Sequence, residues 1–138
     1  MCRKYNIAVI PYSPLCQGVL AGRFKRLDDI PDDPRKRNRR LQKEGFDNVL
    51  EVVSALEETA ARYGKTPAQT ALRWLLDQAG VTAPIVGASR PEQVEENLGA
   101  MGWRLDPEDR QHLSDISWPL SANLGPKDAL WGWLPKYR

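Results

Sequence analysis

Apolar residues along this chain occur in two kinds of run, short unbroken ones and longer ones spaced three and four apart. Ile7-Ala8-Val9-Ile10 and Val81-Thr82-Ala83-Pro84-Ile85-Val86 are of the short kind, rich in β-branched residues and bounded by Pro11, Gly80 and Gly87. Such runs predict strands covered on both faces, as in a parallel sheet. Pro11 and Pro14 lack ladder donors and restrict the residues before them, so Tyr12 falls at the C-terminal end of the first strand. The longer runs predict helices. Val49, Leu50, Val53, Leu56 and Ala60 form one stripe, with Asp47 as its cap and Gly64 as its stop. Thr66-Pro67-Ala68-Gln69 is a capping box with proline at the first helical position, and Leu72, Leu75, Leu76 and Ala79 are the buried face before Gly80. Ser89 and Glu92 make a similar box around Pro91, which predicts a helix from Arg90. Its apolar face is Val94, Leu98 and Met101, and its polar face is Gln93, Glu96 and Asn97. Asp106-Pro107 opens a last short helix with Leu113 and Ile116 inside. Cys2-Arg3-Lys4-Tyr5-Asn6 has the cations and the Asn of a helix's last turn and C-cap, so residue 1 reads as lying inside a domain.

Composition narrows the possibilities. A chain of 138 residues, 41% hydrophobic, suits one modest core. Twenty Lys and Arg against 18 Asp and Glu leave a net charge of +2, so no global field points to nucleic acid or a membrane. No apolar run approaches the roughly 20 residues of a membrane span, and no charged-then-apolar leader is visible. Cys2 and Cys16 form neither a CxxC nor a disulfide framework, which fits a reducing compartment. A soluble cytoplasmic protein is the expectation. The basic run from Arg35 to Arg40 lies beside Asp28-Asp29 and Asp32-Asp33 and has no interleaved aromatics, so it reads as a solvated loop rather than a nucleic-acid contact. His112 has no Ser, Cys or metal-spaced partner in its helix and reads as exposed or capping. Trp118, Trp131 and Trp133 in the tail are expected to pack on the body or on a partner chain.

The stretch with chemistry in it is Ala83 to Leu98, APIVGASRPEQVEENL. A strand, a glycine turn and a helix start offer free N–H groups and a dipole of the right sign, with no side chain at Gly87 to block an approaching phosphate. Arg90 adds a cation. The same residues also suit a plain cap at Ser89 and a solvated polar face.

IAVIPYSPLCQGVLAG, GKTPAQTALRWLL and PIVGASRPEQVEENLGA, in this order and spacing, resemble the C-terminal part of the aldo-keto reductases. GAS followed by PEQ and EEN is similar to the branch that includes the potassium-channel β-subunits. The resemblance implies an α/β fold: the C-terminal portion of a (β/α)8 TIM barrel, with two parallel strands and several helices, incomplete as a barrel. It divides the chain into a strand and cofactor loop (1–22), a basic lid-like loop near the cofactor (23–46), helices (47–80), a strand, turn and cofactor helix (81–101), and a C-terminal helix with a Trp-rich tail (102–138). It also implies an NADP site, NADPH preferred over NADH. Tyr12 would stack on the nicotinamide, and Ser13, Leu15, Gln17 and Gly18 would line the pyrophosphate loop. Gly87 and Ser89 would approach the phosphates and ribose, with Gln93, Glu96 and Asn97 at the adenosine end. Arg90, a cation beside the turn, is the candidate for the 2′-phosphate; some relatives instead carry Arg where Gln93 stands, and a Gln cannot grip a phosphate in the same way, which counts against the NADPH preference. Cys16 stands where relatives usually carry Gly.

The family reduces carbonyls by hydride transfer with an Asp-Tyr-Lys-His set on earlier strands, and none of that set can be assigned here. A complete barrel needs roughly 250 residues. The chain therefore reads as a fragment, or as one whose missing strands come from a partner chain or self-association, acting on a small carbonyl substrate once completed. A non-catalytic, cofactor-binding regulatory subunit is the alternative.

Overall fold

The computed structural model describes residues 1–33, 38, 41 and 43–122. The basic run 35–40, apart from Asn38, and the tail beyond residue 122 lie outside the described residues, as do the expectations placed on them.

The core is arranged around α1 (Lys43–Tyr63). Its stripe is wide enough to serve two clusters: Phe46, Val49 and Val53 pack with Val19, Phe24, Ile30 and Leu41. Val52, Ala55 and Leu56 pack with Ala71, Leu105 and Leu113. The helix starts before Asp47 because Phe46, only 2% exposed, draws its first turns into the first cluster. It ends as expected, with Gly64 at φ 60° in the left-handed region that glycine tolerates.

Helix α2 (Pro67–Leu76) has the predicted capping box: Thr66 Oγ1 accepts from the Gln69 N–H at 3.2 Å, and Gln69 Oε1 accepts from the Thr66 N–H at 3.1 Å. It stops short of the expected Ala79, which is exposed. Asp77 caps its end and is diverted to other work. Its side chain is 2% exposed, binds Arg73 and Arg104, and accepts the Leu105 N–H at 3.0 Å. Helix α4 (Pro107–Ala122) runs through Pro119 and is longer than the short helix expected. Leu113 is buried, whereas Trp118 is 69% exposed and so does not pack on the body, the first of the two places expected for it.

Residues 7–12 and 81–86 lie side by side in parallel but join only through the pairs Val9–Val81 and Tyr12–Ile85. Thr82 N–H donates to the Val9 carbonyl and Ile85 N–H to the Pro11 carbonyl, both at 2.8 Å. The second segment thus advances one residue more than the first between the bonds, because Pro84 has no N–H to give. The burial expected on both faces is absent: Ile7, Ile10 and Ile85 are each more than half exposed. Among the described residues these two segments pair only with each other, which leaves an open edge on each side of the pair. At the start of the chain Asn6 is left-handed at φ 51°, the expected C-cap, here closing a 3-10 turn over Cys2–Tyr5.

Helix α3 (Pro91–Leu98) buries none of its residues. Val94, Leu98 and Met101 share a face as predicted, but stand 49%, 57% and 62% exposed. What fixes the helix is its end. Gln69 Nε2 donates to the Glu96 carbonyl at 2.9 Å, and Trp103 Nε1 to the Gly99 carbonyl at 2.9 Å.

Candidate functional site

Beyond Tyr12 the chain enters a loop that few sequences can form. Ser13, Cys16 and Gln17 have φ of 51°, 46° and 58°, followed by Gly18 at 92°. Left-handed backbone at non-glycine residues costs of order 1 kcal/mol or more each and tends to collect at ligand sites. Hydrogen bonds from Cys16 N–H to the Ser13 carbonyl and from Gly18 N–H to the Leu15 carbonyl, both at 3.0 Å, hold it.

This loop faces the start of α3 across a cleft of about 270 Å³. Ser13, Leu15, Gln17 and Gly18 come from the loop, and Gly87, Gln93, Glu96 and Asn97 from the turn and helix. A Cβ placed at Gly18 or Gly87 would meet nothing within 4 Å, so the backbone is open to a ligand at both. Gln17 Oε1 is buried with no hydrogen-bond partner, an acceptor that a ligand donor would satisfy.

Other candidate residues lie elsewhere. Tyr12, 69% exposed, lines a separate apolar cavity of about 190 Å³ with Pro11, Leu20, Trp74 and Leu113. Ser89 and Arg90 are exposed and do not line the cleft. The cap expected from Ser89 is reversed: Arg90 is the N-cap residue, and Gln93 Oε1 accepts from the N–H of Ser89 at 2.7 Å, its hydroxyl at 3.1 Å and the N–H of Arg90 at 3.3 Å. Gln outcompetes Ser because, at the third helical position, its longer side chain reaches back to donors outside the helix. Two of the N–H groups expected to be free at this turn, those of Ser89 and Arg90, are therefore in use.

Arg23 lines the cleft; the sequence places it in the basic lid-like loop (23–46) without singling it out. Its signal was local: it follows Gly22, left-handed at φ 73°, which turns the chain back toward the cleft after the loop. Among the described lining residues the polar groups are thus one guanidinium, one carboxylate from Glu96, three carboxamides and the Ser13 hydroxyl. Such a set binds by hydrogen bonding and charge; among these residues no nucleophile has a base beside it.

One perturbed titratable group stands apart from the cleft. Tyr63 is pushed up to about 12, first by burial and then by its bond to Asp109. Its hydroxyl donates to Asp109 Oδ2 at 2.6 Å and accepts the Asp106 N–H at 3.0 Å. Asp109 is held below the usual carboxylate range by Tyr63 and then by Arg62, against the opposing effect of its own burial. This cluster ties α1 to α4 and does not line the cleft. His112 is exposed, and no group of three metal-ligating side chains occurs among the described residues. No described helix is long and apolar enough to cross a membrane.

The sequence profile described as the Aldo/keto reductase family matches residues 1–117, and the chain belongs to that family. It is 42% identical over 105 residues to the aldo-keto reductase yakc of Schizosaccharomyces pombe, whose name carries NADP(+), covering 75% of this chain and 31% of that protein. It is 31% identical over 148 aligned positions to probable aldo-keto reductase 1 of Glycine max, covering 94% and 42%. Among solved structures, a glycerol dehydrogenase from Gluconobacter oxydans matches with a TM-score of 0.78 and 32% identity, over 93% of this chain and 39% of that one. The chain therefore spans between 31% and 42% of the length of these relatives, and it corresponds to part of an aldo-keto reductase barrel.

Proposed function

We propose that this chain is the dinucleotide-binding, C-terminal part of an NADP-dependent aldo-keto reductase. The observation that carries the reading is the cleft itself: a left-handed loop and a helix start meet across it, beyond the ends of two parallel extended segments. That is where ligands bind in α/β folds and where barrels hold phosphates. Ser13, Leu15, Gln17 and Gly18 would line the pyrophosphate, with Arg23 as a further cation. Gly87 and Ser89 would approach the phosphates and ribose, and Arg90 the 2′-phosphate. Gln93, Glu96 and Asn97 would take the adenosine end, where a carboxylate is suited to accept from ribose hydroxyls. Tyr12 would cover the nicotinamide from the edge of the apolar cavity. When bound, the cofactor supplies the hydride for reduction of a small carbonyl substrate. This chain's residues would bind and orient it, and the proton-donating set, which the family resemblance puts on earlier strands, would come from outside this chain. The exposed apolar edges are where those strands would join, from a longer polypeptide, a partner or a second copy. A cytoplasmic location and a preference for NADPH over NADH are parts of the same proposal.

Titrating the folded chain with NADPH and NADH by fluorescence, while recording its oligomeric mass, tests the reading. Saturable binding with a preference for NADPH is expected. Arg90→Ala should weaken NADPH about tenfold, the worth of one charge-assisted phosphate contact, and leave NADH nearly unchanged. A folded sample that binds neither cofactor refutes the site in this chain.

A further inference from the structure

Helix α3 supplies one wall of the cleft, yet it is eight residues long and buries none of them. Isolated helices shorter than about 12 residues are marginal in water, so its place depends on what grips it. Hydrogen bonds from outside hold its C-terminal end, where helix carbonyls have no partner further along the helix. Trp103 Nε1 donates to the Gly99 carbonyl at 2.9 Å and Arg73 Nη1 to the Ala100 carbonyl at 3.4 Å, both just past the last turn. Gln69 Nε2 reaches further in, to the backbone carbonyl of Glu96 at 2.9 Å, which also takes the Gly99 N–H at 3.1 Å. Glu96 and its neighbour Asn97 line the cleft, as does Ala68, the neighbour of Gln69 on α2. The other end of the Gln69 carboxamide accepts the Thr66 N–H at 3.1 Å. One side chain thus joins the start of α2 to the part of α3 that lines the cleft.

We propose that Gln69 is a positioning residue for the cleft, an inference that rests on the dinucleotide reading above and adds to it a residue that touches no cofactor. Its bond to Glu96 holds α3 at the distance from the left-handed loop at which Glu96 and Asn97 meet the adenosine end. Without that bond the Glu96 carbonyl keeps its Gly99 partner, so no acceptor is stranded, but the wall is free to shift. Affinity then falls with the fraction of molecules in which the wall is in place. Capping and clamping use different atoms of the carboxamide, Oε1 for Thr66 and Nε2 for Glu96. A single substitution can therefore separate the two roles.

Gln69→Glu keeps an oxygen for the Thr66 N–H, and Glu is favoured at this place in a capping box, but its carboxylate has no hydrogen for the Glu96 carbonyl. Gln69→Met loses both bonds and adds no charge. The unaltered chain and both variants are titrated with NADPH and NADH, melted, and followed by amide hydrogen exchange. Both variants should bind both cofactors roughly fivefold more weakly, the worth of one hydrogen bond, because the adenosine end is common to the two. Gln69→Glu should melt no lower than the unaltered chain, and Gln69→Met lower. In Gln69→Glu the amides of α3 should exchange faster while those of α2 do not. Undiminished binding by either variant overturns the inference: by Gln69→Glu it makes Gln69 a cap and no more, and by Gln69→Met it traces the loss in Gln69→Glu to charge. Should Gln69→Met fail to fold, exchange in Gln69→Glu decides between clamp and charge, since charge alone leaves α3 as protected as before. If the unaltered chain binds neither cofactor, the dinucleotide reading fails in this chain and exchange again decides: faster α3 exchange in Gln69→Glu upholds the clamp on the cleft wall, and unchanged exchange refutes it.

Discussion

Gly99→Ala should destabilise this chain even though the backbone at Gly99 favours alanine. Gly99 closes α3 at φ −61° and ψ −11°, ordinary right-handed geometry. Replacing glycine with alanine in such a conformation stabilises by about 0.4–1 kcal/mol through the unfolded state. The new Cβ, however, would lie 2.7 Å from Gln69 Cδ and closer still to Gln69 Nε2. Gln69 is flexible at its tip but is held at both ends of its carboxamide, by the Thr66 N–H at 3.1 Å and the Glu96 carbonyl at 2.9 Å. Moving it forfeits the bond to α3 and the returning half of the α2 capping box, each about 1 kcal/mol. The net is a loss of about 1–1.5 kcal/mol, a fall of about 3–7 °C in melting temperature for a chain of this size. Far-UV circular dichroism melts of the single and double variants are the assay. In a Gln69→Ala background the Glu96 carbonyl still lies 3.1 Å from the new Cβ, so Gly99→Ala should lose most of its cost and fall to within about 0.5 kcal/mol of neutral. Gly99→Ala stabilising the unaltered chain, or destabilising it equally in both backgrounds, refutes the reasoning.

Tyr63→Phe removes a hydroxyl that donates to Asp109 and accepts the Asp106 N–H, and should cost about 1–3 kcal/mol in urea unfolding. The same hydroxyl sets a pH dependence: its raised value means its stabilisation is intact below pH 10, its ordinary value, and is lost as pH rises through about 12. Melts between pH 9 and about 12 should therefore show a decline that Tyr63→Phe flattens. Asp109, being lowered, contributes above the usual carboxylate range and loses its contribution as pH falls through and below it, which an acid titration followed by tryptophan fluorescence will show. Asp77→Ala leaves Arg73, whose side chain is 11% exposed, without its carboxylate and the Leu105 N–H without an acceptor, and should cost about 3 kcal/mol or more by the same unfolding assay.

The helices were the most legible part of the sequence, because their signals are local. The Thr66–Gln69 box, the stop at Gly64 and the left-handed Asn6 all follow from residues within a turn of one another. The centre of the fold was less legible. The sequence drew attention to Ala83–Leu98 for its chemistry, yet that stretch sits at the rim, and α1 carries the core. Strand burial was misjudged for a physical reason: a β-branched run records what a segment is suited to lie beneath, not whether the covering layers belong to the same chain. In the site, the residue types on the two walls were readable as candidates, but the division of labour among them was not. Whether Ser89 or Gln93 caps α3 depends on which side chain reaches which donor, a matter of ångströms that spacing alone leaves open. Arg23 was not singled out because its place in the cleft depends on the turn at Gly22, after the left-handed loop at Gly18 has ended.

The two hydrogen bonds between the parallel segments give this region an unusually direct readout. Amide protons of Thr82 and Ile85 are the pairing itself, so their exchange with deuterated solvent reports how often the segments part. If the pair opens as a unit, both protons should exchange at one rate, faster than amides in the middle of α1. A molecule bridging the loop after Tyr12 and the start of α3 would slow both together, even though it touches neither.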